Sequence, residues 1–324
     1  MTFHRRKLLG LGTLALAATC TQSFAQAYPS KPITLIVPFA PGGNTDMVAR
    51  TAGAALQKVL GQSVIIDNRA GGGGAIGASL VARAPADGYT LMVAGGGVVA
   101  VLPEMMKTQF KLESFTPLMM VNKSSMVLVA RKNETKFKNF NELAAYARSA
   151  EGKLTAAHSG PGTPNQLALL QLQDLLKAKF TVVSYKGAGP ALVDLMGGQI
   201  DVVFDQITSS NQHIKAGGLQ ALAVLGPSKD PAVPDVPTVG DLGYGNIDGT
   251  TYLGILGPAG MPKDIQDKLM AAWQQAVKDP QMIAAVNDMG SVPMAGTAAE
   301  FDKQLKFEQA LAVKAVKDGN LKVD

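Results

Sequence analysis

The strongest constraint on the fold is a repeated alternation of short apolar runs, glycine-rich turns and amphipathic stretches. Residues 33–39, 64–67 and 89–94 are apolar runs of the length of buried strands, and each ends at a glycine-rich turn. Residues 47–60 follow the first turn and carry apolar side chains at helical spacing. Repeated strand–loop–helix units predict an α/β fold with mostly parallel, doubly wound sheets.

The same alternation starts again in the second half of the chain, which predicts a second sheet. Its predicted strands are residues 154–158, 181–185, 200–205 and 219–225, and its predicted helices are residues 165–176 and 190–196. Residues 126–130 and 252–256 have strand composition and lie between the two sets, whereas residues 263–277 and a capping box at Thr297 predict helices near the end of the chain. We therefore predict a first lobe of residues 28–127 and 251–324, a second lobe of residues 128–250, and two crossover strands that join them.

The first 27 residues have the pattern of a signal peptide. Three basic residues precede an apolar run at 8–18 that is too short to span a bilayer, and residues 25–27 fit an A-x-A cleavage site. Cleavage after Ala25 is the alternative, and the export route is either Sec or twin-arginine. We predict export to the periplasm. Removing this segment lowers the formal charge from +5 to about +2 and removes the only cysteine, which leaves no basic face for nucleic acid and no disulfide.

Two glycine-rich loops, one in each predicted lobe, connect a strand to a helix. The first contributes the candidate binding residues Gly42, Gly43, Asn44, Thr45 and Asp46, and the second contributes Ser159, Gly160, Gly162, Thr163 and Pro164. Glycines let backbone N–H groups approach a ligand closely, and the positive end of the following helix favours an anion. An ordinary tight turn with a capped helix remains the alternative for either loop alone. The pair predicts a clamp that binds one anion from two sides.

Other loops supply further candidates. Residues 69–77 include Ala70 and Gly71 and satisfy GxGxxG, but the acidic residue expected about 20 positions later is missing, so no dinucleotide cofactor is predicted. Lys186 follows a strand and either pairs with a ligand carboxylate or is solvated. Asp205 ends an apolar run and either binds a ligand amine or hydroxyl or caps the next helix.

The sequence offers little for catalysis. Only His158 and His213 remain after processing, with no cysteine, which argues against a zinc site, and Ser159 lacks the G-x-S-x-G context of a nucleophile. We predict no catalytic residue, no metal and no cofactor. An exported enzyme that acts on a small acid stays as the alternative from another functional class.

At these loops the chain closely resembles the Bug family, the substrate-binding proteins of tripartite tricarboxylate transporters. The matched motifs include Pro41-Gly42-Gly43, Asn68-Arg69-Ala70-Gly71, Ala86-Asp87-Gly88-Tyr89, Tyr185-Lys186-Gly187 and Asp194-Leu195-Met196-Gly197-Gly198. The resemblance implies a type II periplasmic binding-protein fold, a small carboxylate ligand held by residues 42–46 and 159–164, and membrane transporter subunits as partners. A receptor that presents its ligand to a membrane sensor kinase is the alternative, and we expect a monomer.

Two departures from the family pattern bear on the ligand. The loop after the third strand, residues 95–99, is often polar in relatives but is Gly-Gly-Gly-Val-Val here, and residues 165–167 are Asn-Gln-Leu where a histidine is common. Both changes make the pocket less polar. They suggest an aromatic or otherwise less polar monocarboxylate rather than citrate.

Overall fold

The computed structural model describes residues 28–149 and 152–318. The predicted signal peptide therefore lies outside the described residues. The strands are β1 Ile33–Val37, β2 Val64–Asn68, β3 Thr90–Ala94, β4 Phe115–Ser124, β5 Met126–Arg131, β6 Thr155–His158, β7 Thr181–Ser184, β8 Val202–Gln206, β9 Leu219–Val224, β10 Thr251–Pro258 and β11 Val292–Gly296. The helices are α1 Asn44–Leu60, α2 Ala75–Ala82, α3 Leu102–Met105, α4 Phe140–Ser149, α5 Pro164–Leu176, α6 Ala188–Met196, α7 Ile207–Lys215, α8 Lys263–Ala276, α9 Pro280–Asp288 and α10 Ala298–Lys317.

The strands form two mixed sheets. The first sheet has the order β11-β4-β10-β3-β1-β2, and the second has the order β7-β6-β8-β5-β9. Strands β1, β2 and β3 are parallel, as are β6, β7 and β8, whereas β10 and β5 run antiparallel to their neighbours. The α/β class is confirmed, but the sheets are less parallel than predicted because β5 and β10, the first strands after the two crossings, run antiparallel to both of their neighbours.

Helices cover both faces of each sheet, and this arrangement explains the apolar strands. In β1, Ile33, Leu35 and Val37 pack with α1 and α8, whereas Ile36 points to the other face and packs with Phe301 of α10. The second sheet is likewise enclosed by α4 and α5 on one face and by α6 and α7 on the other. Strands with two covered faces bury almost every side chain, so they show no polar alternation.

The chain crosses between the sheets twice. Only Ser125 separates β4 of the first sheet from β5 of the second, and residues 225–250 lead back from β9 to β10. Met126 and Val127, which the prediction assigns to the first lobe, pair with strands of the second sheet. The change of sheet thus occurs two residues before the predicted boundary; the division into two lobes stays a prediction. None of the helices in the described part of the chain has both the length and the apolar character needed to cross a bilayer.

Candidate functional site

A cleft that opens to solvent lies between the two sheets and measures about 610 Å³ when the open space at its mouth is included. The first sheet contributes the loops after β1 and β3, the start of β10 and one side chain of α10; the second contributes the loop after β6, the start of α6 and the end of β8. The lining residues are Phe39, Gly43, Asn44, Thr45, Gly95, Gly96, Gly97, Val98, Ser159, Thr163, Pro164, Asn165, Ala188, Gln206, Thr250, Thr251, Tyr252, Leu253 and Glu308. Ligands of α/β proteins bind at such strand ends.

Helix α1 begins at the cleft without a side-chain cap. Its N-cap residue, Gly43, is extended and has no side chain to bond the first amides. Asn44, the first residue of the helix, is buried, and its Oδ1 has no hydrogen-bond partner among the described residues. The first N–H groups of a helix lack intrahelical partners and lie at the positive end of its dipole. This point of the cleft therefore favours an anion.

Asp46 holds the loop before α1 in place and does not line the cleft. Its carboxylate accepts hydrogen bonds from Gly42 N–H at 3.0 Å, from Nε of Arg50 at 3.0 Å and from Nδ2 of Asn68 at 2.9 Å. Burial disfavours its ionised form, but the bonds from Arg50, Gly42 and Asn68 outweigh burial and lower the pKa of Asp46. Gly42 and Asp46, both predicted to bind ligand, thus fix the position of Gly43 and Asn44.

Helix α5 begins on the opposite side of the cleft. Its N-cap residue, Thr163, accepts a hydrogen bond from Gln166 N–H at 3.4 Å and donates one to the carbonyl of Gly160 at 2.6 Å. Pro164 is the first helical residue and has no N–H, so the first amide of the helix is that of Asn165. Thr163, Pro164, Asn165 and Ser159 all line the cleft. The structure thus brings the two predicted loops together.

The side chain of His158 contacts the backbone of the second loop. Its Nδ1 lies 3.0 Å from the carbonyl oxygen of Gly160 and 3.1 Å from the backbone nitrogen of the same residue, and the ring tautomer decides which of the two it bonds. Burial lowers the pKa of His158, against the opposing effect of a hydrogen bond with Gly160. A neutral, buried imidazole bonded to its own loop orients that loop. Its hydrogen-bonding contacts are with Gly160, and the neighbouring Ser159 lines the cleft.

A chain of three polar side chains crosses from the second sheet to the first. Nδ2 of Asn165 donates to the carbonyl of Phe204 at 2.7 Å, and Nε2 of Gln206 donates to Oδ1 of Asn165 at 3.3 Å and to Oγ1 of Thr251 at 3.2 Å. All three side chains line the cleft. Thr251 was not predicted, and of the candidate pair Asp205-Gln206 the prediction chose Asp205; strand alternation is the signal that distinguishes the two.

Asp205 points away from the cleft. Its buried carboxylate accepts hydrogen bonds from the hydroxyls of Ser209 at 2.8 Å and Ser210 at 2.5 Å, both in α7. Burial raises the pKa of Asp205 to about 6, although the hydroxyl bonds oppose that rise. This placement argues against the predicted role of Asp205 in ligand binding and favours the predicted alternative, contact with the following helix.

Several other predicted residues lie where the loops of the two sheets touch, or outside the cleft altogether. Lys186 is exposed, but its carbonyl accepts a hydrogen bond from Ala40 N–H at 2.8 Å. A Cβ on Gly160 would lie 3.3 Å from Cα of Gly73, so these two loops are in backbone contact. Gly162 packs on Leu102, and Gly71 on Ile76. Lys186, Gly160, Gly162, Ala70 and Gly71 are not among the lining residues.

Glu308 of α10 lines the cleft and was not predicted. Nothing in its local sequence distinguishes it from the other polar residues of an amphipathic helix. Only the packing of α10 against the loop after β3 brings it to the site. The described residues contain no group of three or more metal-ligating side chains.

Comparison with known proteins identifies the family. Residues 48–319 match the family described as the tripartite tricarboxylate transporter family receptor. Protein BugT of Bordetella pertussis is 33% identical over 287 residues, which are 88% of each chain.

Solved structures agree with this match and confirm the predicted fold class. The periplasmic binding protein BugD is 30% identical and superimposes with a TM-score of 0.87 over 92% of this chain and 100% of its own. MatC from Rhodopseudomonas palustris, solved with bound malate, is 33% identical with a TM-score of 0.84 over 89% of this chain and 100% of its own. With its two helix starts at one cleft and a family match over most of its length, the chain belongs to the Bug, or tripartite tricarboxylate transporter receptor, family.

Proposed function

We propose that this protein is an extracytoplasmic receptor that captures a small carboxylate between two lobes, one built on each sheet, and delivers it to a tripartite tricarboxylate-type membrane transporter. One observation carries the proposal: helices α1 and α5, which pack on different sheets, both begin at the same cleft. Family membership supports the same role, as does the malate in the related MatC structure.

The positive ends of the two helices at the cleft suit one ligand carboxylate. Each helix N-terminus is equivalent to roughly half a positive elementary charge, so the two together offset about one negative charge. No lysine or arginine is among the described residues that line the cleft. The ligand carboxylate would therefore bind the amides of Asn44, Thr45 and Asn165 and the hydroxyl of Ser159.

Binding is coupled to closure in this proposal. A ligand that contacts both sides stabilises the closed arrangement by its difference in affinity for the closed and open states. The hydrogen bond from Ala40 to Lys186 and the contacts of Gly73 with the loop after β6 are formed only when the loops meet. A membrane partner can then recognise the closed form. The predicted signal peptide and the periplasmic location of BugD support action in the periplasm.

Calorimetry on the chain from residue 28 onwards tests the proposal. We expect binding to small carboxylates, no binding to the corresponding uncharged amides, and recovery of the ligand unchanged after long incubation. Failure of every carboxylate, or conversion of the ligand to a product, would refute it.

A pair of substitutions at one position tests the role of the backbone. Asn44→Pro removes the first amide of α1, at a position where proline suits a helix and Gly43 is already extended. Asn44→Ala removes only the side chain and is the matched control. A hydrogen bond to a charged group contributes about 1.5–3 kcal/mol, so Asn44→Pro should weaken carboxylate binding about 10- to 150-fold relative to Asn44→Ala. Equal affinities for the two variants would contradict the assignment.

Delivery is tested in cells. Deletion of the gene should abolish uptake of the labelled ligand. Normal uptake with loss of ligand-dependent transcription would favour the alternative of a receptor that serves a sensor kinase.

A further inference from the structure

Glu308 is the one charged side chain among the described residues that line the cleft. It comes from α10, near the end of the described chain, and faces the loop after β3. The cleft therefore combines the positive ends of two helices with one negative side chain.

One carboxylate oxygen of Glu308 is available to a ligand. Oε1 accepts a hydrogen bond from Nε2 of Gln304 at 2.8 Å. Oε2 lies directly over Gly96, where any side chain would overlap it, and has no hydrogen-bond or ionic partner within the described ranges. Gly96 is thus the residue that lets this carboxylate reach the cleft.

The Glu308 side chain is partly buried. Burial raises the pKa of Glu308 to about 6, and the bond from Gln304 opposes the rise. The apolar residues Val98 and Leu253 line the same cleft. A carboxylate that has lost hydration gains most from a donor that a ligand brings.

We propose that Glu308 selects small carboxylates whose far end carries a hydrogen-bond donor, an ammonium or a hydroxyl group, and disfavours ligands with a second carboxylate at that end. The proposal rests on the proposed function, because the ligand's own carboxylate must first occupy the helix starts. A second carboxylate at the far end would meet Glu308 without a countercharge and with like-charge repulsion. In this respect the protein is expected to differ from MatC, whose malate has two carboxylates.

Ligands that differ only at the far end test the selection. One series is 4-aminobutyrate, 4-hydroxybutyrate, pentanoate and glutarate; a second, with a ring, is 4-(aminomethyl)benzoate, 4-hydroxybenzoate, 4-methylbenzoate and terephthalate. In at least one series, calorimetry with the wild-type protein should give the tightest binding to the ammonium or hydroxyl member and the weakest to the dicarboxylate.

The variant Glu308→Gln keeps the size of the side chain and removes its charge. It should weaken binding of the ammonium member at least 10-fold and strengthen binding of the dicarboxylate at least 10-fold. Gly96→Ala, which displaces the carboxylate but keeps its charge in the protein, should change selectivity in the same direction. The control is Glu104→Gln, because Glu104 also accepts a hydrogen bond from a glutamine of α10, Gln309 at 3.0 Å, but does not line the cleft.

The outcomes separate this inference from the proposed function. If monocarboxylates bind and depend on the amide of Asn44, but Glu308→Gln leaves the order of affinities unchanged, the inference fails and the receptor function stands. Tighter wild-type binding of the dicarboxylate than of the ammonium and hydroxyl members also overturns the inference, as does failure of all the ammonium and hydroxyl members to bind. If no carboxylate of any kind binds, the proposed function fails as well.

Discussion

Gly189 offers a sharp test of closure, because it lies at the contact between the loops and outside the cleft. It is the second residue of α6, and a Cβ at this position would overlap the carbonyl oxygen of Pro41 and lie 3.1 Å from its carbonyl carbon. Its φ is not in the left-handed region, so alanine is compatible with the backbone. Gly189→Ala should therefore leave the open protein intact and oppose the closed one.

The size of the effect follows from the overlap. A carbon atom normally stays about 3.3 Å or more from a carbonyl oxygen, so the loops would have to move apart by roughly 1 Å. Forcing an extra methyl group into a well-packed contact costs typically 1–3 kcal/mol. If that cost falls on the closed state alone, ligand affinity drops about 5- to 150-fold. The unliganded protein should be as stable as the wild type or slightly more so, because alanine favours a helix over glycine.

Calorimetry and thermal unfolding, each with and without the best carboxylate ligand, measure both effects. Gly197→Ala is the matched control: it lies at the end of the same helix, and its added Cβ would have an ordinary 3.4 Å contact as its nearest neighbour. X-ray scattering should show that ligand compacts the control but compacts Gly189→Ala less.

Wild-type affinity in Gly189→Ala would refute the view that the loops must meet for tight binding. An equal loss of affinity in Gly197→Ala would show that the effect comes from the helix rather than from its contact with Pro41.

Three further substitutions probe the supports of the cleft. Asp205→Asn should reduce the pH dependence of stability. The folded pKa of about 6 exceeds the ordinary 3.8, so the carboxyl group stabilises the fold below pH 4, and about 3 kcal/mol of this stabilisation is lost as the pH rises through 6. Urea unfolding of the wild type and the variant at several pH values measures the loss. Asp46→Ala removes the acceptor of hydrogen bonds from Gly42, Arg50 and Asn68 and should lower the free energy of unfolding by about 2 kcal/mol, whereas no change in urea unfolding would contradict its bracing role. Thr251→Val removes the hydroxyl that accepts from Gln206 and should weaken ligand binding by about 0.5–1.5 kcal/mol in calorimetry; unchanged affinity would show that this bond does not contribute to the closed state.

Much of the fold was predictable because its central strands, such as β3 and β8, are buried on both faces. Strands β1, β2 and β3 and the second set β6 to β9 lie within two residues of the predicted runs. Helix α7 entered the prediction only as the helix after Asp205, without bounds, because residues 208–213 are polar and give no apolar periodicity. Helix α2 was missed because its glycine-rich start and uniformly apolar composition give no helical periodicity.

The site was predictable where it depends on local sequence. A strand, a glycine-rich turn and a helix place the first amides of α1 and α5 at a sheet edge, whatever the rest of the chain does. Gln206, Thr251 and Glu308 reach the cleft only through tertiary packing. For Asp205 and Gln206, adjacent in β8, the face that each occupies depends on the register of the strand, which the sequence alone left open.

The uncapped start of α1 also has a consequence for adaptation. Mutation exchanges side chains but, apart from proline, leaves every backbone amide in place. The proposed carboxylate anchor, made of peptide groups, would therefore persist while neighbours such as Val98, Tyr252 or Glu308 are replaced. Such a scaffold can acquire specificity for new ligands through few substitutions, because the proposed binding site for the ligand carboxylate is retained.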